Sequence, residues 1–93
     1  MMIMKNRYLP DEYLKDLGLR LKIIRTFLHL DQRRMSDILK TGQSQISKIE
    51  SGRAAPTLFQ LRTIKNLADE NDYLRENLTW EWILDGKGKG IIG

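Results

Sequence analysis

Cysteine is absent from the 93 residues, and histidine occurs once. Without a thiol there can be no disulfide and no thiolate metal site, and His29 alone cannot assemble a metal centre. No apolar run approaches the roughly 20 residues that cross a bilayer. The opening Met1-Met2-Ile3-Met4-Lys5-Asn6-Arg7 has neither a long apolar stretch nor a small-residue cleavage site, so no signal peptide is expected. These absences fit a reducing cytoplasm, which is the expected location. Clustered catalytic carboxylates, a Ser/His/Asp set and a phosphate-binding glycine loop are also missing, so the expectation is no enzyme and no cofactor.

What is present fits one soluble domain of ordinary composition. The net charge is only +4, yet it is unevenly placed. Residues 17–65 carry ten Lys/Arg against three Asp/Glu, residues 66–93 carry three against six, and residues 1–16 balance at three each. A basic excess confined to one stretch favours a polyanionic partner over plain solvation. Charge alone does not separate DNA from RNA, but no aromatic stacking face for RNA is evident.

Periodicity is helical throughout, with no strand signal and no internal repeat. Leu14, Leu17, Leu21, Ile24 and Leu28 recur at three- and four-residue steps after Pro10, so a helix is expected over roughly 11–28. Gly18 sits inside it and weakens it locally. Asp31 is an N-cap for a second helix over roughly 32–39. Gly42 and Gly52 bracket a third, over roughly 43–50. Thr57 caps a fourth, whose stripe Leu58, Leu61, Ile64, Leu67 and Leu74 carries it to about Glu76. Asn77 is its expected left-handed stop, and Thr79 caps a short fifth helix from Trp80 to Asp85. The expected fold is all-α, a compact five-helix bundle over 11–86, with an N-terminal segment 1–10 and a flexible tail 87–93.

The second and third helices are separated by only Lys40-Thr41-Gly42. Met35, Leu39, Ile46 and Ile49 supply the inward positions. Gln43, Ser44, Gln45, Ser47 and Lys48 are left outside. A helix held by two isoleucines and showing small polar groups plus a lysine is built to touch something polar. That is the layout of a helix-turn-helix, whose second helix lies in the DNA major groove.

Over roughly residues 17–86 the chain resembles the phage Cro/repressor-type helix-turn-helix family, also called the XRE family, with its lambda-repressor-like domain. The matching pieces are Leu21-Lys22-Ile23-Ile24-Arg25, Gln32, the run Gln43-Ser44-Gln45-Ile46-Ser47-Lys48-Ile49-Glu50-Ser51-Gly52, Pro56, and Glu81-Trp82-Ile83-Leu84-Asp85-Gly86. The family usually has glycine where this chain has Lys40, a small aliphatic at Thr41 and alanine at Ser36. A left-handed Lys40 would cost about 1–2 kcal/mol, and the Ser36 hydroxyl can bond back to its own helix. The segment between Leu67 and Trp82 is longer than the family's, and is expected to add turns to the fourth helix.

Gln43, Ser44, Gln45 and Lys48 are the candidate base readers, at the start and middle of the third helix. Glutamine can pair with adenine N6 and N7, and lysine with guanine O6 and N7. Lys40, Arg53 and Gln32 are phosphate candidates, and Ser47 faces either a phosphate or the second helix. The resemblance implies that Gln32 braces Gln43 and that Arg25 and Glu50 form a structural ion pair. Lys5 and Arg7 are weaker candidates for an arm on DNA, and His29 is a connector.

Trp80 and Trp82 cannot both face the core from one short helix, so one of them, with Ile83 or Leu84, is a candidate homodimer interface. The expected function is a regulator, a repressor by preference, that binds a palindromic operator in double-stranded DNA as a dimer. The alternative is an antitoxin-like or accessory protein that grips a protein partner and autoregulates its operon. Ile91 and Ile92 are its only candidate docking residues.

Overall fold

Six helices follow one another in the computed structural model, which describes residues 10–91. They are α1 (Pro10–Phe27), α2 (Gln32–Leu39), α3 (Gln43–Glu50), α4 (Leu58–Ala68), α5 (Asp72–Asn77) and α6 (Trp80–Asp85). No strand occurs among the described residues. Residues 1–9 and 92–93, which include the candidate arm residues Lys5 and Arg7 and the candidate docking residue Ile92, lie outside them.

α1 starts on Pro10, whose fixed φ suits a first turn, with Asp11 and Glu12 at the positive pole. Its buried stripe is Leu17, Leu21 and Ile24, with Leu28 half-buried just beyond its end. Gly18 is buried where α1 meets the end of α3. A Cβ there would strike the Ile49 carbonyl oxygen and come within 2.8 Å of that of Glu50. The glycine that weakens α1 therefore lets two backbones touch.

The first three helices end alike. Leu30 N–H donates to the Arg25 carbonyl at 3.1 Å, Thr41 N–H to that of Ser36 at 3.0 Å, and Arg53 N–H to that of Lys48 at 2.8 Å. Each bond spans five residues and closes over a left-handed residue: His29 (φ 61°), Lys40 (φ 56°) and Gly52 (φ 82°). This is the Schellman termination. It leaves α2 and α3 joined by Lys40-Thr41-Gly42 alone.

The expected long fourth helix is two helices. α4 ends at Ala68, and Asn71 starts α5 by accepting the Leu74 N–H at 3.0 Å. On one straight helix, six residues of separation would aim Ala68 and Leu74 roughly 120° apart. Both are fully buried, one on each side of the break. Asn77 is not the left-handed stop expected of it. It is the last residue of α5, followed by an extended Leu78 that is itself buried. Leu58, placed on the buried stripe by its spacing, is 81% exposed.

α6 runs over the expected residues, with Trp82 and Ile83 inward. Arg20 of α1 reaches its far end, donating from Nε to the Ile83 carbonyl at 2.8 Å and from Nη2 to that of Leu84 at 3.1 Å. Beyond Gly86 the chain expected to be a free tail folds back as far as Ile91. Thr79 Oγ1 donates to the Lys89 carbonyl at 3.0 Å, Gly90 is buried flat against the Trp82 indole, and Ile91 packs on the core.

Candidate nucleic-acid interface

The α3 helix is fixed from one side only. Ile46 and Ile49 are 2% and 4% exposed, wedged against α1 and α2. Gln43, Ser44 and Lys48 stand exposed, while Gln45 and Ser47 are half-buried at the flanks of that face. Gly42 provides no side-chain cap, and no acidic residue sits in the first turn. The positive pole of α3 is thus left open, whereas α4, α5 and α6 are closed by Thr57, Asn71 and Thr79.

A buried polar cluster sets the angle of α3. Arg25 Nε donates to Glu50 Oε2 at 2.6 Å and Nη2 donates to Oε1 at 3.0 Å, a two-pronged pair with side chains 9% and 7% exposed. The remaining Arg25 Nη1 donates to the Leu30 carbonyl at 2.7 Å. Gln32 Nε2 also donates to Glu50 Oε1, at 3.0 Å. α1, the turn after it, the first residue of α2 and the last of α3 are joined at one carboxylate. Among the described residues no buried side-chain polar atom lacks a partner. Gln32 therefore engages Glu50, and no hydrogen bond joins it to Gln43. Nothing local in the sequence marks the Gln32–Glu50 bond, whose 18-residue separation fits no helical spacing.

The turn fixes the remaining candidates. Lys40 is exposed and left-handed, at φ 56° and ψ 48°. Arg53 is exposed and its Nε donates to Ser51 Oγ at 3.0 Å. Buried Ser36 donates to the Arg33 carbonyl at 2.6 Å, so its hydroxyl is satisfied within α2.

Of the ten cations between residues 17 and 65, three are committed elsewhere. Arg20 caps α6, Arg25 pairs with Glu50, and Lys65 pairs with Asp69 at 2.6 Å. Lys22, Arg33, Arg34, Lys40, Lys48, Arg53 and Arg62 are exposed and take part in no ion pair among the described residues. Arg33 and Arg34 add two exposed cations to those that the helix-turn-helix pattern singles out. Both lie in the first turn of α2, where the helix dipole disfavours a cation.

The predicted self-association residues divide. Trp82 and Ile83 are 5% and 1% exposed and belong to the core, which removes them from any interface of the folded chain. Trp80 and Leu84 are half-buried and remain at the surface. No group of three or more metal-ligating side chains converges among the described residues, and no helix there is long and apolar enough to cross a membrane.

A comparison with curated proteins gave no match. A family model described as a helix-turn-helix domain matches residues 18–89, from the close contact at Gly18 to the folded-back tail. With that span and the three-residue turn between α2 and α3, the chain belongs to the helix-turn-helix family of the Cro/repressor type.

Proposed function

We propose that the protein is a sequence-specific regulator of transcription, acting as a repressor, that binds double-stranded DNA with α3 in the major groove. The observation that carries this is the outer face of α3. A helix anchored by two isoleucines presents Gln43, Ser44 and Lys48 to solvent, with an uncapped positive pole and seven exposed cations on the same part of the chain. Gln43, Ser44, Gln45 and Lys48 read base edges. Lys40, Ser47 and Arg53 hold phosphates. Gln32 acts through Glu50 on the angle of α3 and through the start of α2 on the backbone.

The protein binds a palindromic operator as a homodimer, joined through the outer side of α6 at Trp80 and Leu84. The alternative of a protein-gripping accessory factor drew on Ile91 and Ile92. Ile91 packs on the domain, so that reading loses its one described support.

Selection of binding sites from random duplexes tests the function. The parent should enrich a symmetric site. Gln43→Ala should relax selection at one base pair per half-site and cost about 1–3 kcal/mol there, while non-specific binding stays close to the parent's. An unselected pool, or a site left unchanged by alanine at Gln43, Ser44 and Lys48 together, would refute base reading by α3.

A further inference from the structure

Two of the large apolar side chains left exposed among the described residues are Leu19, at 55%, and Tyr73, at 48%. They belong to one surface. Leu19, Ile23 and Phe27 follow at four-residue steps along α1, and the Phe27 ring stacks on that of Tyr73 in α5 with centroids 5.6 Å apart. Ile23 and Phe27 are half-buried, so the stripe is anchored in the domain while its outer edge stays in solvent. The same line runs back through Asp16 and Glu12, three and seven residues before Leu19. At its other end Glu76 follows Tyr73 by three residues. All three carboxylates are exposed, and none joins an ion pair among the described residues.

This surface is turned away from α3. Gly18 and Arg25 are the α1 residues that meet the end of α3. Ile23 is five residues from the first and two from the second, which rotates it roughly 140–160° from both. Lys15 and Lys22 lie at one edge of the stripe, roughly 80–100° round the helix from Ile23. Arg20, at the other edge, is engaged by the α6 carbonyls. The order acid, apolar, acid decides what can cover such a face. It repels DNA and anionic lipid alike. A second copy laid parallel would set Glu12 and Asp16 against their own equivalents. Laid antiparallel, it would press those carboxylates onto Phe27 and Ile23 without a cation to pair them.

We propose that the stripe of Leu19, Ile23, Phe27 and Tyr73 is a docking site for an amphipathic helix of a different protein, one whose apolar side is flanked by lysine or arginine. The apolar side chains of that helix lie along the stripe, and its cations pair with Asp16, Glu12 and Glu76. Because the face is turned from α3, its occupation leaves the outer side of α3 open.

The test uses the full chain without DNA, so that failure here leaves the DNA reading untouched. A synthetic amphipathic peptide of leucine and lysine, about five turns long, is titrated in and followed by backbone amide NMR. A leucine–glutamate peptide of the same pattern is the control. The leucine–lysine peptide should saturably shift amides around Leu19, Ile23 and Tyr73, and the control should not. Leu19→Ser/Tyr73→Ser should weaken that binding by on the order of tenfold with a melting temperature close to the parent's, since both side chains are exposed. Glu12→Lys/Asp16→Lys should lose the leucine–lysine peptide and admit the leucine–glutamate peptide to the same amides. Shifts confined to other surfaces, equal binding of the two peptides by the parent, or undiminished binding by the serine variant would overturn the proposal. So would sedimentation in which the parent self-associates and the serine variant does not, because the occupant would then be a second copy.

Discussion

Single residues carry unusual weight where backbones meet. Helix propensity alone would have Gly18→Ala stabilise α1 by about 1 kcal/mol. The close approach of the Ile49 and Glu50 carbonyls reverses that sign. The variant should be destabilised by about 1–3 kcal/mol, the usual range for overpacking, and thermal melting checks it; a rise in melting temperature would mean that α1 and α3 are not in contact. The Arg25–Glu50 pair is the other such point. Both side chains are almost wholly buried and every Glu50 oxygen has a partner, so removing either residue strands a charge. Arg25→Ala and Glu50→Ala should each lose about 3–5 kcal/mol in denaturant unfolding, and the double variant should lose much less than their sum. Additive losses would show that the two side chains do not interact.

At the scale of elements, three consecutive helices close over a left-handed residue, and only the last of these is glycine. A left-handed non-glycine residue costs about 1–2 kcal/mol, while glycine costs about 0.5–1 kcal/mol in chain entropy. Lys40→Gly should therefore raise stability by about 0.5–1 kcal/mol in denaturant unfolding, and a decrease would contradict the conformation at Lys40. The helix-turn-helix itself was readable because its signals are local: Asp31 as cap, a three-residue turn, Ile46 and Ile49 three apart. The α4–α5 break was not readable from periodicity, since Leu67 and Leu74 are seven apart and stay in phase on a straight helix. Only Asn71, as a cap competing with helix continuation, marked it. Periodicity likewise shows that one of Trp80 and Trp82 turns inward without saying which. The Gly90 backbone lying on the Trp82 indole answers that, through a contact with a tail that composition alone describes as free.

At the scale of the whole molecule, charge is unevenly divided along the chain. Lys22, Arg33, Arg34, Lys40, Lys48, Arg53 and Arg62 lie between the start of α1 and the end of α4, on helices or in the turns between them, and Asp69, Glu70, Asp72, Glu76, Glu81 and Asp85 follow in the remainder. Under the proposed function the basic stretch would draw the chain to a polyanion before any base is read. In the proposed complex α6, with its half-buried Trp80, would meet a second copy. Two recognition helices related in that way would enter successive major grooves about 34 Å apart. Methylation protection on the selected duplex examines this most directly, because dimethyl sulfate attacks guanine N7 in the major groove and adenine N3 in the minor groove. Guanine N7 should be protected in two half-sites one helical turn apart, and the protection should be lost when Gln43, Ser44 and Lys48 are replaced by alanine. Protection confined to adenine N3, or guanine protection that survives the triple replacement, would contradict it.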